Sequence, residues 1–240
     1  MDEAVEGILF DKDGTLIDYA ASWLPINREA AHCAAGGDPE RAAHLLTIGG
    51  HDSETNRVAA DSLLAASNTA EIAAAWVEAG SPFDVEALTR ELDRIFTAGS
   101  SAAVPVPGIA DLFDRLRRTG LRLGVATSDS VASAQKTLET IGLTADFVAG
   151  YDSGYGAKPG TGMALAFAET FALSPSNCIM VGDNLHDIRM GRAAGFGLCV
   201  GVMTGTGNRA DLTREADHVL EAATALPDLL AFATQDAATS

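Results

Sequence analysis

The chain has 240 residues, of which 47% are hydrophobic and 20% are charged, so it can bury a sizeable core and is not generally disordered. Its formal net charge of −17 excludes the basic surface with which proteins neutralise nucleic-acid phosphates, and would also repel an anionic membrane surface. An anionic ligand would therefore need a local positive centre, either a metal ion or a few placed cations.

The cysteines and the chain ends give expectations about location. The three cysteines are widely spaced and form no metal-binding or redox motif: Cys33, Cys178 and Cys199. The acidic start, residues 1–3, does not resemble a signal peptide, and no apolar run reaches the roughly 20 residues that span a bilayer. We expect a cytoplasmic monomer or homodimer without nucleic-acid or membrane partners, with a frayed tail from Thr234.

The first part of the chain predicts one strand followed by helices. The strand is Val5 to Phe10, an apolar run that ends in polar residues and a glycine. Residues 17–103 have few strand signals and are rich in Ala, Leu and Glu at helical spacing, as in residues 70–79 and 85–96. Asp84 precedes the second of these runs and is suited to cap it. This block indicates a small helical domain.

From residue 104 onward, strand-like runs alternate with helix-like runs. The predicted strands are Leu121 to Ala126, Asp146 to Ala149, Cys178 to Val181, Gly197 to Val202 and Asp217 to Leu220. The predicted helices are Gly108 to Thr119, Ser130 to Ile141, Gly162 to Phe171, Leu185 to Ala194 and Asn208 to Glu215. Such alternation predicts an α/β fold with a doubly wound (Rossmann-like) parallel sheet. We expect a core of residues 1–16 and 104–240, with residues 17–103 inserted as a helical cap domain.

Acidic, hydroxyl and lysine side chains follow four of the predicted strands. They are Asp11 and Asp13 after the first strand, Thr127 and Ser128 after the second, Lys158 after the third, and Asp183 and Asp187 after the fourth. Sites in parallel sheets lie beyond the carboxyl ends of the strands. We therefore expect these side chains to converge at one edge of the sheet.

The predicted convergence is suited to phosphoryl transfer. Asp11, at the end of a rigid strand, can attack phosphorus and carry the phosphoryl group. The repulsion between a carboxylate and a phosphate about 4 Å apart is roughly 4 kcal/mol at a dielectric near 20, so a positive group has to offset it. Mg²⁺ held by Asp11 and Asp183 would supply that charge, with Asp187 acting behind the metal ligands. Lys158 would add a fixed cation.

Two further residues complete the expected chemistry. Thr127 offers its hydroxyl group to a phosphate oxygen. Asp13, two residues from the nucleophile, is placed to protonate the leaving alcohol and later to activate water. Gly14 lets the chain turn away from the strand without a side-chain clash.

These segments resemble the four motifs of the haloacid dehalogenase superfamily. The motifs are Asp-x-Asp-Gly-Thr at Asp11, a Thr or Ser after a strand at Thr127, Lys-Pro at Lys158, and Gly-Asp-x-x-x-Asp around Asp183. The resemblance implies the same roles for these residues and adds the backbone carbonyl of Asp13 as a metal ligand. It also implies that the helical insert is a cap that closes over the site, as in phosphoglycolate phosphatase-like members.

Several branches of that superfamily stay open. Asp13 favours phosphate esters over haloacids, and the absence of lysine from residues 17–103 disfavours a Schiff-base mechanism. Phosphoglycolate is the expected substrate, with Ser128 and the cap residue Arg57 as expected substrate contacts. The alternatives are a sugar phosphomutase and, from another class, a non-catalytic phospholigand-binding protein.

Two other signals have a structural and a functional interpretation. Gly205-Thr206-Gly207-Asn208-Arg209-Ala210 fits the GxGxxA pattern of dinucleotide sites, but it follows the fifth main strand instead of the first, and we interpret it as a turn into a helix. Tyr19 and Trp23 follow the first motif, where they can line the pocket or pack in the hinge. The histidines show no zinc-binding spacing, so no zinc site is expected.

Overall fold

The computed structural model describes residues 5–230. The acidic start and the predicted frayed tail from Thr234 lie outside this range. Six strands form one sheet: β1 (Gly7–Phe10), β4 (Arg122–Ala126), β5 (Phe147–Ala149), β6 (Cys178–Gly182), β7 (Leu198–Val202) and β8 (His218–Leu220). Their order across the sheet is β5-β4-β1-β6-β7-β8, and every neighbouring pair is parallel. The prediction of a parallel α/β sheet is confirmed, and all six predicted strands are present.

The first strand lies at the centre of the sheet because its side chains are apolar on both faces. All four residues of β1 are buried, and Phe10 is paired with Val125 of β4 and Val181 of β6. The three central strands therefore end at the same level. The residues that follow them, including Asp11, Thr127 and Asp183, start from one edge of the sheet.

Helices cover both faces of the sheet. Ile8 and Phe10 point to a cluster with Phe113 and Leu138, whereas Leu9 points to a cluster with Phe167 on the other face, as the two-residue period of a strand requires. The helices after residue 103 are α6 (Ile109–Arg118), α7 (Val131–Thr140), α8 (Gly162–Thr170), α9 (Leu185–Ala193) and α10 (Arg209–Glu215). Each was predicted to within two residues at either end.

Residues 17–103 contain five helices and a short hairpin around a hydrophobic cluster of their own. The helices are α1 (Tyr19–Ala34), α2 (Pro39–Ile48), α3 (Leu63–Ala66), α4 (Thr69–Glu78) and α5 (Val85–Gly99). Trp76, Leu88 and Leu92 are fully buried in this cluster, and Asp84 caps α5 by accepting a hydrogen bond from the Ala87 amide. The division of the chain at residues 16/17 and 103/104 stays a prediction.

The hairpin in this helical block was not predicted. It pairs β2 (His51–Asp52) with β3 (Arg57–Val58) in antiparallel register. Each strand has only two residues, which is too short for an alternating pattern to be visible in the sequence.

The two crossings between the sheet and the helical block run side by side. Ile17 forms bridges to Asp13 and to Pro105, and the Asp18 amide donates to the Val104 carbonyl at 2.9 Å. The helical block is thus attached directly beside the loop that follows β1. Within residues 5–230, none of the helices combines the length and apolar character that a membrane crossing requires.

Candidate active site

The loop after β1 is a tight turn that begins with Asp11. The Asp11 amide extends the ladder of β1 by donating to the Val181 carbonyl at 2.8 Å, and the Leu16 amide donates back to the Lys12 carbonyl at 2.9 Å. Gly14 has a φ of 80°, a left-handed conformation that glycine adopts without strain. The turn leaves the Asp11 side chain buried at the sheet edge.

Lys158 joins two of the predicted acids. Its Nζ lies 2.5 Å from Asp11 Oδ1 and 2.7 Å from Asp187 Oδ1, and all three side chains are buried. Asp187 is held in turn by the first turn of α9, where its Oδ2 accepts a hydrogen bond from the Asn184 amide at 3.2 Å. Asp187 therefore fixes the lysine that faces Asp11.

Three buried carboxylates share this edge of the sheet. Asp11, Asp183 and Asp187 each offer an oxygen atom within 4.8 Å of the others. Burial, together with the neighbouring acids, raises the pKa of Asp11 to about 6 although Lys158 opposes the shift, and burial and Asp11 raise the pKa of Asp183 well above its usual value. The cluster holds more negative charge than one lysine neutralises.

This excess of negative charge fits a bound divalent cation. In the described part of the chain, no lysine or arginine forms an ion pair with Asp183, whose Oδ2 accepts only from the Thr206 amide and hydroxyl at 2.7 and 3.4 Å. Carboxylate oxygens are the ligands that Mg²⁺ prefers. The donor set of Asp11 and Asp183 therefore suits that ion, whereas both Asp187 oxygens already have protein partners.

The side chain of Asp13 has hydrogen-bond partners outside the carboxylate cluster. Its Oδ1 accepts hydrogen bonds from Lys12 Nζ at 2.6 Å and Trp23 Nε1 at 2.5 Å, and its Oδ2 is 3.4 Å from Thr127 Oγ1. Asp13 and Thr127 thus lie together, as the strand-end argument predicted. The metal contact expected from Asp13 was its backbone carbonyl, and that contact stays a prediction.

The glycine-rich segment after β7 is part of the site, which sequence reasoning missed. A Cβ atom on Gly205 would lie 1.9 Å from Asp183 Oδ2, and one on Gly207 would lie 1.8 Å from the Asp183 carbonyl oxygen. The glycines therefore let the backbone approach Asp183 closely enough for the Thr206 amide to bind it. The GxGxxA pattern therefore has a packing reason, and it turns into a helix, as predicted, because α10 begins within it at Arg209.

A pocket lies between the sheet edge and the helical block. Its polar floor contains Asp13, Ser128 and Asp129, and its other walls are formed by residues of the helical block that include Tyr19, Trp23, Asn27, Leu64, Thr69, Ile72 and Phe96. Within the described residues, no lysine, arginine or histidine lines it. Arg57 is exposed on β3 and is not among the lining residues, so its predicted substrate contact stays untested.

Known proteins resemble this chain along most of its length. The family model described as "haloacid dehalogenase-like hydrolase" matches residues 5–195. The chain is 28% identical to N-acetylmuramic acid 6-phosphate phosphatase of Pseudomonas aeruginosa, covering 80% of this chain and 79% of that protein. It is 29% identical to phosphoglycolate phosphatase of Xylella fastidiosa, covering 89% and 88%.

Solved structures show the same fold. CbbY from Rhodobacter sphaeroides, crystallised with phosphate, superposes with a TM-score of 0.68 at 22% identity, covering 91% of this chain and 94% of that chain. The predictions of the superfamily, of the fold and of a phosphoric monoester hydrolase are confirmed by these comparisons. Because the family model matches most of the length of this chain, the chain belongs to the haloacid dehalogenase-like hydrolases.

Proposed function

We propose that this enzyme is a Mg²⁺-dependent phosphatase that hydrolyses a small phosphomonoester through a phosphoryl group carried on Asp11. The observation that supports this most directly is Asp11 itself, a buried carboxylate 2.5 Å from Lys158 at the edge of an acidic cluster. Lys158 balances the negative charge of Asp11, and the end of β1 holds the carboxylate in place as a nucleophile.

The first step transfers the phosphoryl group to the enzyme. An Asp11 oxygen attacks phosphorus, the bond between phosphorus and the ester oxygen breaks, and the departing oxygen takes a proton from Asp13. Lys158 and the Thr127 hydroxyl stabilise the charge on the phosphoryl oxygens. The products are the free alcohol and an acyl phosphate on Asp11.

The second step releases inorganic phosphate. Water attacks phosphorus, its proton passes to Asp13, and the bond between phosphorus and the Asp11 oxygen breaks. Asp11 returns as a carboxylate and Asp13 returns protonated, so the cycle consumes one ester and one water. The same residue acts first as acid and then as base.

Asp11, Asp183 and the Asp13 backbone carbonyl are the residues we propose for the metal. A bound Mg²⁺ supplies positive charge that offsets the repulsion between the carboxylates and the phosphate. The Thr206 amide orients Asp183 through its 2.7 Å hydrogen bond.

Replacing Gly205 with alanine is expected to weaken Mg²⁺ binding by about 10- to 100-fold. Changes to the surroundings that orient a metal ligand have effects of that size. The added methyl group would lie 1.9 Å from Asp183 Oδ2 and has to displace it. Calorimetric titration with Mg²⁺ measures the change without substrate. Unchanged affinity in folded Gly205→Ala would contradict the assignment of Asp183.

Phosphoglycolate is the leading substrate, supported by the resemblance and by the curated relatives that act on it. N-acetylmuramic acid 6-phosphate is a second candidate because another relative hydrolyses that ester. Ser128 lines the pocket and is the proposed contact on the sheet side. A sugar phosphomutase and a non-catalytic phospholigand-binding protein are the alternatives, and the cytoplasmic location and oligomeric state stay predictions.

The experiment that tests this function is phosphate release from a panel of small phosphomonoesters that contains both candidates. We expect turnover with Mg²⁺, loss of turnover when EDTA removes the ion, and recovery when excess Mg²⁺ is returned. Full activity in EDTA would contradict the metal dependence. Transfer to a second hydroxyl group without free phosphate would indicate the mutase, and no turnover of any ester would favour the binding protein.

A further inference from the structure

Lys12 is a fully buried lysine that has no role in the reaction proposed above. Its exposed fraction is 0%, although it stands between the nucleophile and the proposed acid in the sequence. Its Nζ lies 2.6 Å from Asp13 Oδ1, 3.2 Å from Asp129 Oδ2 and 5.0 Å from the centroid of the Trp23 ring. A buried ammonium group is costly unless such partners surround it, so the contacts define where it sits.

Asp129, the second partner of Lys12, is anchored at the beginning of α7. Its Oδ1 accepts from the Ser130 amide at 2.8 Å, and its Oδ2 accepts from the Ser133 hydroxyl. The Ser133 hydroxyl is also 2.6 Å from that of Ser100, at the end of the helical block. Asp129 is therefore fixed by the protein around it, and it fixes Lys12.

The consequence appears at Asp13, where the two oxygens have different surroundings. Oδ1 accepts two short hydrogen bonds, from Lys12 and from Trp23. Oδ2 has only the 3.4 Å contact with Thr127, a residue proposed to bind the phosphoryl group. The carboxyl group is thus held through Oδ1, while Oδ2 faces the Thr127 hydroxyl group.

We propose that Lys12 and Asp129 are a positioning pair that orients Asp13 so that Oδ2 exchanges the proton with the leaving oxygen. Neither residue of the pair is required to touch the reacting atoms. The proposal rests on the proposed function, because it assumes that Asp13 is the acid. It predicts a defect confined to esters whose leaving group needs a proton.

The test compares two esters in one preparation of Lys12→Met. An alkyl phosphate releases an alkoxide and needs protonation, whereas 4-nitrophenyl phosphate releases a stable phenolate that does not. We expect the ratio of kcat/KM for the alkyl ester to that for the aryl ester to fall by about 10- to 100-fold, a part of what general acid catalysis contributes. The fraction of folded enzyme cancels in this ratio, so a loss of stability alone leaves it unchanged.

Two more variants protect the test against misfolding. Lys12→Met/Asp129→Asn removes both buried charges and is expected to give the same ratio as Lys12→Met, because paired residues act as one unit. Lys136 is exposed, and Lys136→Met is the matched control that keeps the ratio of the unmodified enzyme. An unchanged ratio in the single and the double variant would overturn the positioning pair.

Asp13→Asn separates this proposal from the function on which it rests. If Asp13→Asn lowers the ratio and Lys12→Met does not, the pair is wrong and the acid stands. If Asp13→Asn also leaves the ratio unchanged, the assignment of Asp13 fails and the pair fails with it.

Discussion

Replacing Asp11 with Asn is expected to lower kcat by at least about 10⁴-fold, because the amide cannot attack phosphorus and nucleophile replacements have effects of this order. Asn has nearly the same size and removes one acid from a crowded cluster in which the pKa of Asp11 is raised to about 6. The fold should therefore survive. Steady-state phosphate release from the preferred ester measures the loss, and a thermal unfolding curve checks the fold.

The matched control is Asp114→Asn, which makes the same chemical change at an exposed position on α6. We expect its kcat to equal that of the unmodified enzyme. Near-normal turnover in Asp11→Asn would mean that another group attacks phosphorus.

The second large effect is expected from Lys158→Met. In the described range, Lys158 is the cation within ion-pair distance of Asp11. Its removal takes away the fixed charge opposite the phosphoryl group, and we expect kcat to fall by about 10²- to 10³-fold, as when a preorganised donor is lost. Lys158 lowers the pKa of Asp11 against the effect of burial, so its loss raises that pKa further.

The direction of the pH effect follows from the ionised form that attacks. Because activity falls as pH decreases through the pKa of Asp11, the acidic limb of the kcat/KM profile should move to higher pH in Lys158→Met. Profiles of this variant and of Lys136→Met, whose lysine is exposed, provide the comparison. A limb that stays in place, with kcat unchanged, would show that Lys158 does not act on Asp11.

The sheet and the residues at its edge could be predicted because buried strands are visible in the sequence as continuous apolar runs. β1 is buried on both faces and reads as an uninterrupted apolar run, and the acid that follows it begins the site. Parallel strands bring their carboxyl ends together, so chain order alone was enough to group Asp11 with Asp183.

The helical block was harder to predict because its elements break local rules. Pro25 lies inside α1, although proline removes a donor from a helix and usually ends it. The β2–β3 hairpin has two residues in each strand, so tertiary packing and not propensity decides its conformation.

The environments of Lys12 and Gly205 could not be predicted because they depend on neighbours distant in sequence. A lysine in isolation is most often exposed, whereas Lys12 is buried beside Trp23 and Asp129, which are distant from it in the sequence. Gly205 follows β7, and only the pairing of β7 with β6 brings it against Asp183. The packing reason for the GxGxxA pattern therefore became visible only when the strand order was known.

The central claim is that the phosphoryl group passes through Asp11, and the stereochemistry at phosphorus tests it most directly. The substrate is a phosphorothioate monoester made chiral at phosphorus by one sulfur atom and two oxygen isotopes. It is hydrolysed in water that carries the third oxygen isotope, and the configuration of the released thiophosphate is determined. Two successive in-line displacements, first by Asp11 and then by water, predict overall retention. Inversion would mean that water attacks the ester directly, and it would contradict the covalent intermediate.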